Sequence, residues 1–179
     1  RLPAVDGHQL RIPGCPRMKI LLFGKNGQVG WELQRTLASL GELTAVDFDS
    51  PADLCGDFNN PDGLRMTIQK VKPDIIVNAA AYTAVDKAES EPDLAMKINA
   101  EAPRVLAEEA DALGACLVHY STDFVFDGKK SQPYTELDQG NPLSEYGRSK
   151  LSGDLAIQKA CSRHIIFRTS WVFGLHGAN

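Results

Sequence analysis

Three glycines, Gly24, Gly27 and Gly30, stand directly after an apolar run, Ile20 to Phe23, and directly before an amphipathic period. No other feature constrains the fold as much. The apolar run reads as a buried strand. Val29, Leu33, Leu37 and Leu40 then recur at helical spacing, and Gly41 supplies a stop. In so short a turn the first glycine tolerates the tight backbone, the second lets an anion approach, and the third lets helix pack on strand. The helix N-terminus adds unpaired N–H groups and a partial positive charge. The GxxGxxG spacing alone is weak. In its strand–turn–helix setting it points to a dinucleotide pyrophosphate, with Gly24, Gly27, Gln28, Val29 and Gly30 as candidate contacts.

The same alternation runs through the rest of the chain. Leu43 to Phe48 reads as a second strand, and Asn60-Pro61 as a cap opening a helix with Leu64, Ile68 and Val71 on its apolar stripe. Ile75 to Val77 is a strand. A long helix is expected from about Glu91-Pro92 to Gly114, then a strand from Leu117 to Tyr120, a loop over 121–143, a helix from about Ser144 to Ala160 and a strand from Ile165 to Arg168. Repeated strand–helix–strand units imply an α/β fold: a Rossmann-like, doubly wound parallel sheet with helices on both faces and its ligands at the carboxyl ends of the strands. The chain's 179 residues suffice for one such domain. Residues 1–17, rich in proline and without a sustained period, read as an extension ahead of a start at Met18. Residues 18–179 read as the nucleotide-binding domain, truncated shortly after a strand.

Composition excludes several classes of function. A formal charge of -4 and pI near 5.6 leave no basic face for nucleic acid. No apolar run approaches the ~20 residues that span a bilayer. The four cysteines form no CxxC pair and the four histidines are scattered, so no metal site is expected, and a reducing, cytoplasmic setting fits best. Cys116, in an apolar run, reads as a buried core thiol.

Candidate site residues gather at predicted strand ends. Asp47, placed at the end of the second strand, could accept from an adenosine ribose, or be a solvated carboxylate. Asp57-Phe58 would suit the edge and face of an adenine. The small residues of Asn78-Ala79-Ala80-Ala81-Tyr82-Thr83 would let a dinucleotide approach the backbone. Tyr146 and Lys150 are four residues apart near a helix start, hence on one face and roughly 6 Å apart along the axis. A cation about 4 Å from the phenol, worth about 4 kcal/mol at an effective dielectric near 20, would pull its pKa down from about 10. A hydroxyl of Tyr120-Ser121-Thr122-Asp123, where a strand ends, could hydrogen-bond the same substrate oxygen as Tyr146, or the segment could simply cap its own turn. Trp171, a lone aromatic after the last strand, could be core or ligand contact.

In order, GxxGxxG, NAAA, STD, YxxxK and RTSW resemble the extended short-chain dehydrogenase/reductase superfamily. Within it, Leu22 to Leu33, Ala84 to Glu89, Tyr120 to Phe126 and Phe167 to Trp171 are similar to the dTDP-4-dehydrorhamnose reductase family, over nearly all of Met18 to Asn179. The resemblance implies NADPH or NADH as cofactor, contacted by Gly27, Gln28, Val29, Asp47, Asp57, Phe58, Ala81, Tyr82 and Thr83. It implies a dTDP-sugar ketone as substrate, touched by Thr122, Asp123 and Trp171. Tyr146 would be the proton donor, Lys150 would hold the nicotinamide ribose, and Thr122 would polarise the carbonyl. A smaller C-terminal substrate domain would be missing from this chain. Some family members carry Mg2+ at a homodimer contact. Glu32 matches one ligand and the others would lie past Asn179, so no metal is assigned. Two alternatives stay open at this point: a sugar-nucleotide epimerase or dehydratase of the same superfamily, and a non-catalytic subunit like the regulatory subunit of methionine adenosyltransferase.

Overall fold

The computed structural model describes residues 17–51 and 53–177. Residues 1–16 of the expected extension, Cys15 among them, lie outside the described residues. Five parallel strands form one sheet in the order β2-β1-β3-β4-β5: β1 Lys19–Phe23, β2 Glu42–Val46, β3 Ile75–Asn78, β4 Cys116–Thr122 and β5 His164–Thr169. The helices are α1 Gln28–Leu37, α2 Pro61–Val71, α3 Val85–Ala88, α4 Pro92–Met96, α5 Ala102–Leu113 and α6 Glu145–Ala160. A π-helical turn, Lys97–Glu101, joins α4 to α5, and a 3-10 turn, Asp123–Val125, follows β4. The doubly wound α/β expectation holds.

β1 is buried on both faces because its residues alternate between two cores. Leu21 and Phe23 face α2, α5 and α6, packing with Leu64, Ile68, Leu106 and Ile157. Ile20 and Leu22 face the other way, against Leu33 and Leu37 of α1. Each such side chain taken from water contributes about 1.5–3 kcal/mol. The chain leaves β1 in one direction to make β2 and in the other to make β3. The resulting crevice at the carboxyl end of β1 is the ligand site of such sheets.

Local expectations hold where a cap or a breaker sets the boundary. Asn60 Oδ1 accepts from Gly63 N at 3.0 Å with Pro61 at the first helical position. Ser144 Oγ accepts from Gly147 N at 3.1 Å at the start of α6, and Gly114 closes α5 at φ 68°. Elsewhere tertiary contacts decide. α1 stops at Leu37, and Leu40 is exposed. Gly41 is needed instead for a close approach, since a Cβ there would lie 2.1 Å from Met18 O. β2 ends at Val46, one residue before Asp47, because Gly24 N and Lys25 N turn back to donate to Val46 O at 3.0 and 3.4 Å. β4 continues through Thr122, paired with Thr169 of β5. Cys116 is only half-buried, and among the described cysteines Cys161 is the buried thiol. Among the described residues, no helix is long and apolar enough to cross a membrane.

Candidate active site

A cleft of about 520 Å³ opens at the carboxyl ends of β1, β3 and β4. One end is made of backbone. Gly24, at φ 84°, lies so close to β3's exit that a Cβ would sit 2.5 Å from Ala80 N. A Cβ on Gly30 would sit 1.8 Å from Gly24 O, so this glycine serves helix–turn packing and does not line the cleft. Gly27 caps α1 without a side-chain bond. Gln28 and Val29 line the cleft beside it, and Gln28 Oε1 is buried with no partner among the described residues. Asp47 lines it too, its two oxygens accepting from Asn26 N at 3.0 Å and Phe48 N at 2.8 Å. Lys25 Nζ is 3.4 Å from Asp49 Oδ1. After β5 the chain returns to the N-terminus of α1, with the His176 ring 5.5 Å from that of Trp31.

The other end is made of side chains. Thr122, Asp123, Tyr146, Lys150 and Trp171 all border the same cleft, facing Ala81 and Thr83. The Tyr146 ring meets Phe124 edge-on at 5.6 Å. Burial raises its phenol pKa, a hydrogen bond with Thr122 lowers it, and the Asp123 and Asp154 carboxylates raise it again. This corrects the expectation that Lys150 pulls the phenol down. The Lys150 ammonium turns to β4 instead, donating to Tyr120 O at 2.7 Å, and lies 3.3 Å from His119 Nε2. Lys150 is fully buried, which pushes its pKa down to about 8 although Asp154 opposes the shift. Thr122 Oγ1 accepts from Phe124 N and lies 3.2 Å from Asp123 Oδ1. A hydroxyl has one proton, so donating to the phenol means releasing Asp123.

Several expected contacts lie elsewhere. Phe58 is core, 5.8 Å from the Phe23 ring and 5 % exposed, so it has no free face for an adenine. Asp57 does not line the cleft, and one of its oxygens accepts from Asn59 N at 2.8 Å. Tyr82 points to α4, its hydroxyl donating to Glu91 at 2.8 Å. Its backbone is clamped by Asn99 of the π-turn, whose Nδ2 also reaches Ser149 Oγ of α6 at 3.0 Å. Trp171 holds a left-handed φ of 51° with its indole almost wholly exposed, which removes the core reading. Glu32 pairs with Arg35 on the surface. No group of three or more metal-capable side chains occurs among the described residues.

Sequence spacing does not show that a buried polar group gathers behind the tyrosine: Asn78, His119, Ser121, Asp154 and its partner Arg168. One signal was available. Asp154 lies four residues after Lys150, on the helix face that Tyr146 and Lys150 share.

Known proteins resemble the chain over most of its length. The dTDP-4-dehydrorhamnose reductase of Escherichia coli (strain K12) is 56% identical over 162 residues, covering 90% of this chain and 54% of that protein. The Bacillus anthracis dTDP-4-dehydrorhamnose reductase in complex with NADP superposes with a TM-score of 0.84 at 36% identity, over 91% of this chain and 57% of that one. A Clostridium acetobutylicum dTDP-4-dehydrorhamnose reductase gives 0.82 at 42%, over 89% and 56%. The chain thus spans about half the length of the curated relatives it matches. Residues 18–179 match the family profile described as RmlD substrate binding domain. The chain belongs to that family.

Proposed function

We propose that this chain is the nucleotide-binding and proton-donating part of a dTDP-4-dehydrorhamnose reductase. The reaction would be reduction of the C4 ketone of dTDP-6-deoxy-L-lyxo-4-hexulose to dTDP-L-rhamnose. The observation that carries the reading is a single cleft with a glycine cradle at one end and Thr122, Tyr146 and Lys150 at the other. The glycine end fits a nicotinamide dinucleotide. A Cβ at Gly24 would close the cradle, the N-terminus of α1 faces it, and Gln28 Oε1 is a buried acceptor in want of a donor. Asp47 and Ala81 with Thr83 would border the bound cofactor, and Thr122, Asp123 and Trp171 the sugar nucleotide. NADPH and NADH are both proposed, since Asp47 is already engaged and Lys25 supplies a cation close by, paired with Asp49.

Bound in the cleft, the reduced nicotinamide supplies hydride to the sugar's C4. The protein's own work is proton handling and orientation. The raised pKa keeps the Tyr146 phenol protonated at neutral pH, so the proton is present when negative charge develops on the ketone oxygen. Thr122 Oγ1 turns from Asp123 to the same oxygen and polarises it. Lys150, held by the Tyr120 carbonyl, would offer its amino group to the cofactor's ribose. The part of the relatives that this chain does not span is proposed to close over the nucleotide-sugar. The 179-residue chain alone is therefore expected to bind cofactor but to turn over poorly.

A coupled assay tests the reading on the full-length enzyme that carries this chain, with dTDP-6-deoxy-4-hexulose and each cofactor in turn. Substrate-dependent oxidation of either cofactor is expected. None with either would refute it.

A further inference from the structure

Lys150 is joined to a buried chain of polar side chains that the reaction above leaves unused. Asn78, His119 and Asp154 are each completely buried. Asn78 Nδ2 and His119 Nδ1 are 2.9 Å apart, and Asn78 Oδ1 accepts from Ala80 N at 3.0 Å. On its other side the imidazole places Nε2 3.3 Å from Lys150 Nζ and 3.9 Å from Asp154 Oδ1. That carboxylate oxygen has no hydrogen-bond partner among the described residues, whereas Oδ2 accepts from Ser121 Oγ at 2.9 Å and lies 3.4 Å from Arg168 Nε.

The protons in this chain follow from what each group can do. A backbone N–H only donates, so Ala80 holds the oxygen of Asn78 toward itself and leaves the NH2 facing His119. An amide NH2 also only donates, so Nδ1 must be the bare, accepting nitrogen. The single proton of the neutral ring is then on Nε2, directed at Lys150 Nζ and Asp154 Oδ1. The other tautomer would set Nδ1–H against the amide NH2. Turning the amide over would set that NH2 against Ala80 N–H. Either leaves two buried donors face to face. A doubly protonated ring is disfavoured as well, because burial and the neighbouring Lys150 charge hold His119 well below its ordinary pKa.

We propose that Asn78 locks His119 as the Nε2–H tautomer, and that His119 is a positioning residue whose N–H favours the uncharged amine of Lys150 over its ammonium. A neutral amine accepts from Nε2–H while still donating to Tyr120 O. An ammonium confronts Nε2–H with a second donor, so the ring proton is left with the more distant Asp154 Oδ1, 3.9 Å from Nε2. The charged or titratable groups around Lys150 act together. They are His119 and Tyr120 from β4, Tyr146 and Asp154 from its own helix, Arg168 from β5 through Asp154, and Asp123 from the 3-10 turn through Tyr146. β3 contributes only the uncharged Asn78. Burial already brings Lys150 down to about 8, so small changes in its partners move its charge within the working range. Only the consequence for turnover rests on the reductase reading. The tautomer does not.

The direct test is a long-range proton–nitrogen correlation spectrum of the histidine rings in the 15N-labelled full-length protein, with His119→Gln used to assign the signal. A bare Nδ1 and a protonated Nε2 at neutral pH are expected. An Nδ1–H pattern or an imidazolium would overturn the proposal. Asn78→Asp supplies the converse, since its carboxylate can accept from both Ala80 N and an Nδ1–H. The ring should reverse to Nδ1–H, and the Lys150 midpoint, read from its side-chain nitrogen shift, should rise by about one pH unit or more. A higher midpoint without a reversed tautomer would reduce the effect to the added charge and overturn the lock. Should the variant fail to fold, the spectrum of the unmutated protein decides. The inflection of kcat with pH should track the Lys150 midpoint while KM stays put. Absence of reductase activity beside an Nε2–H ring would refute the proposed function alone. An Nδ1–H ring in an active reductase would refute this proposal alone.

Discussion

The two ends of the cleft are built from different material. At the glycine end, the proposed cofactor recognition depends on missing side chains: Gly24 and Gly30 bring three backbone segments within a Cβ's width of one another. At the tyrosine end it depends on side chains that are present and held, with Lys150 fixed by a carbonyl and Tyr146 steered by Phe124 and Thr122. The difference teaches where each function can be lost. A change at the first end is a change in packing and should cost stability and cofactor binding together. A change at the second can remove chemistry and leave binding intact.

The largest expected effect sharpens that contrast. Tyr146→Phe should lower kcat of the full-length enzyme about 10²–10⁴-fold while cofactor Kd stays within about twofold, read by steady-state kinetics and fluorescence titration. An unchanged kcat would remove Tyr146 as proton donor. Loss of cofactor binding in that variant would break the division between the two ends.

Next comes Gly30→Ala, whose Cβ would overlap Gly24 O. Denaturant unfolding should show a loss of about 3 kcal/mol or more, with weakened cofactor binding in parallel. Wild-type stability would show that the turn gives way easily, and the glycine end would then be no more a packing site than its counterpart.

The third effect concerns pH. The Lys150 pKa is depressed in the fold, to about 8 from an ordinary 10.5. The cost of burying its charge is therefore fully present below about 8 and relieved as pH rises toward 10.5. Relative to Lys150→Met, the cofactor-free protein should gain roughly 3 kcal/mol across that window. A flat difference would mean that the lysine is not buried as charged.

The smallest expected effect lies outside the contrast. Asp138, held down to about 2 chiefly by its hydrogen bond to Lys130, closes the loop between β4 and α6. Its contribution is present above the ordinary carboxylate range and lost as pH falls toward 2. Asp138→Asn should speed amide exchange over 127–138 and shift Tm by no more than about 2 °C. A large drop in Tm would make this loop part of the core framework.

What could be read in the sequence was local. The turn after β1, the caps Asn60 and Ser144 and the pairing of Tyr146 with Lys150 on one helix face all lie within a few residues, where spacing fixes geometry. What escaped depends on contacts across the sheet. Asn78 and His119 are 41 residues apart in sequence and meet only because β3 and β4 pair in register. The i, i+4 spacing placed Lys150 near Tyr146 but could not show that the Tyr120 carbonyl claims its ammonium. The burial of Phe58 escapes the sequence for a similar reason. A loop aromatic looks the same in sequence whether it meets an adenine or, as here, the edge of Phe23.

Labelled cofactor tests the central claim most directly. The full-length enzyme would be given NADPH or NADH carrying deuterium at C4 of the nicotinamide, on the face it transfers, together with dTDP-6-deoxy-4-hexulose, and the product would be read by NMR. Deuterium at C4 of the sugar is expected, delivered by the wild type and sharply reduced in rate by Tyr146→Phe. Product formed without deuterium at C4, or labelled equally fast by the variant, would contradict a cleft in which hydride arrives from one end and the proton from the other.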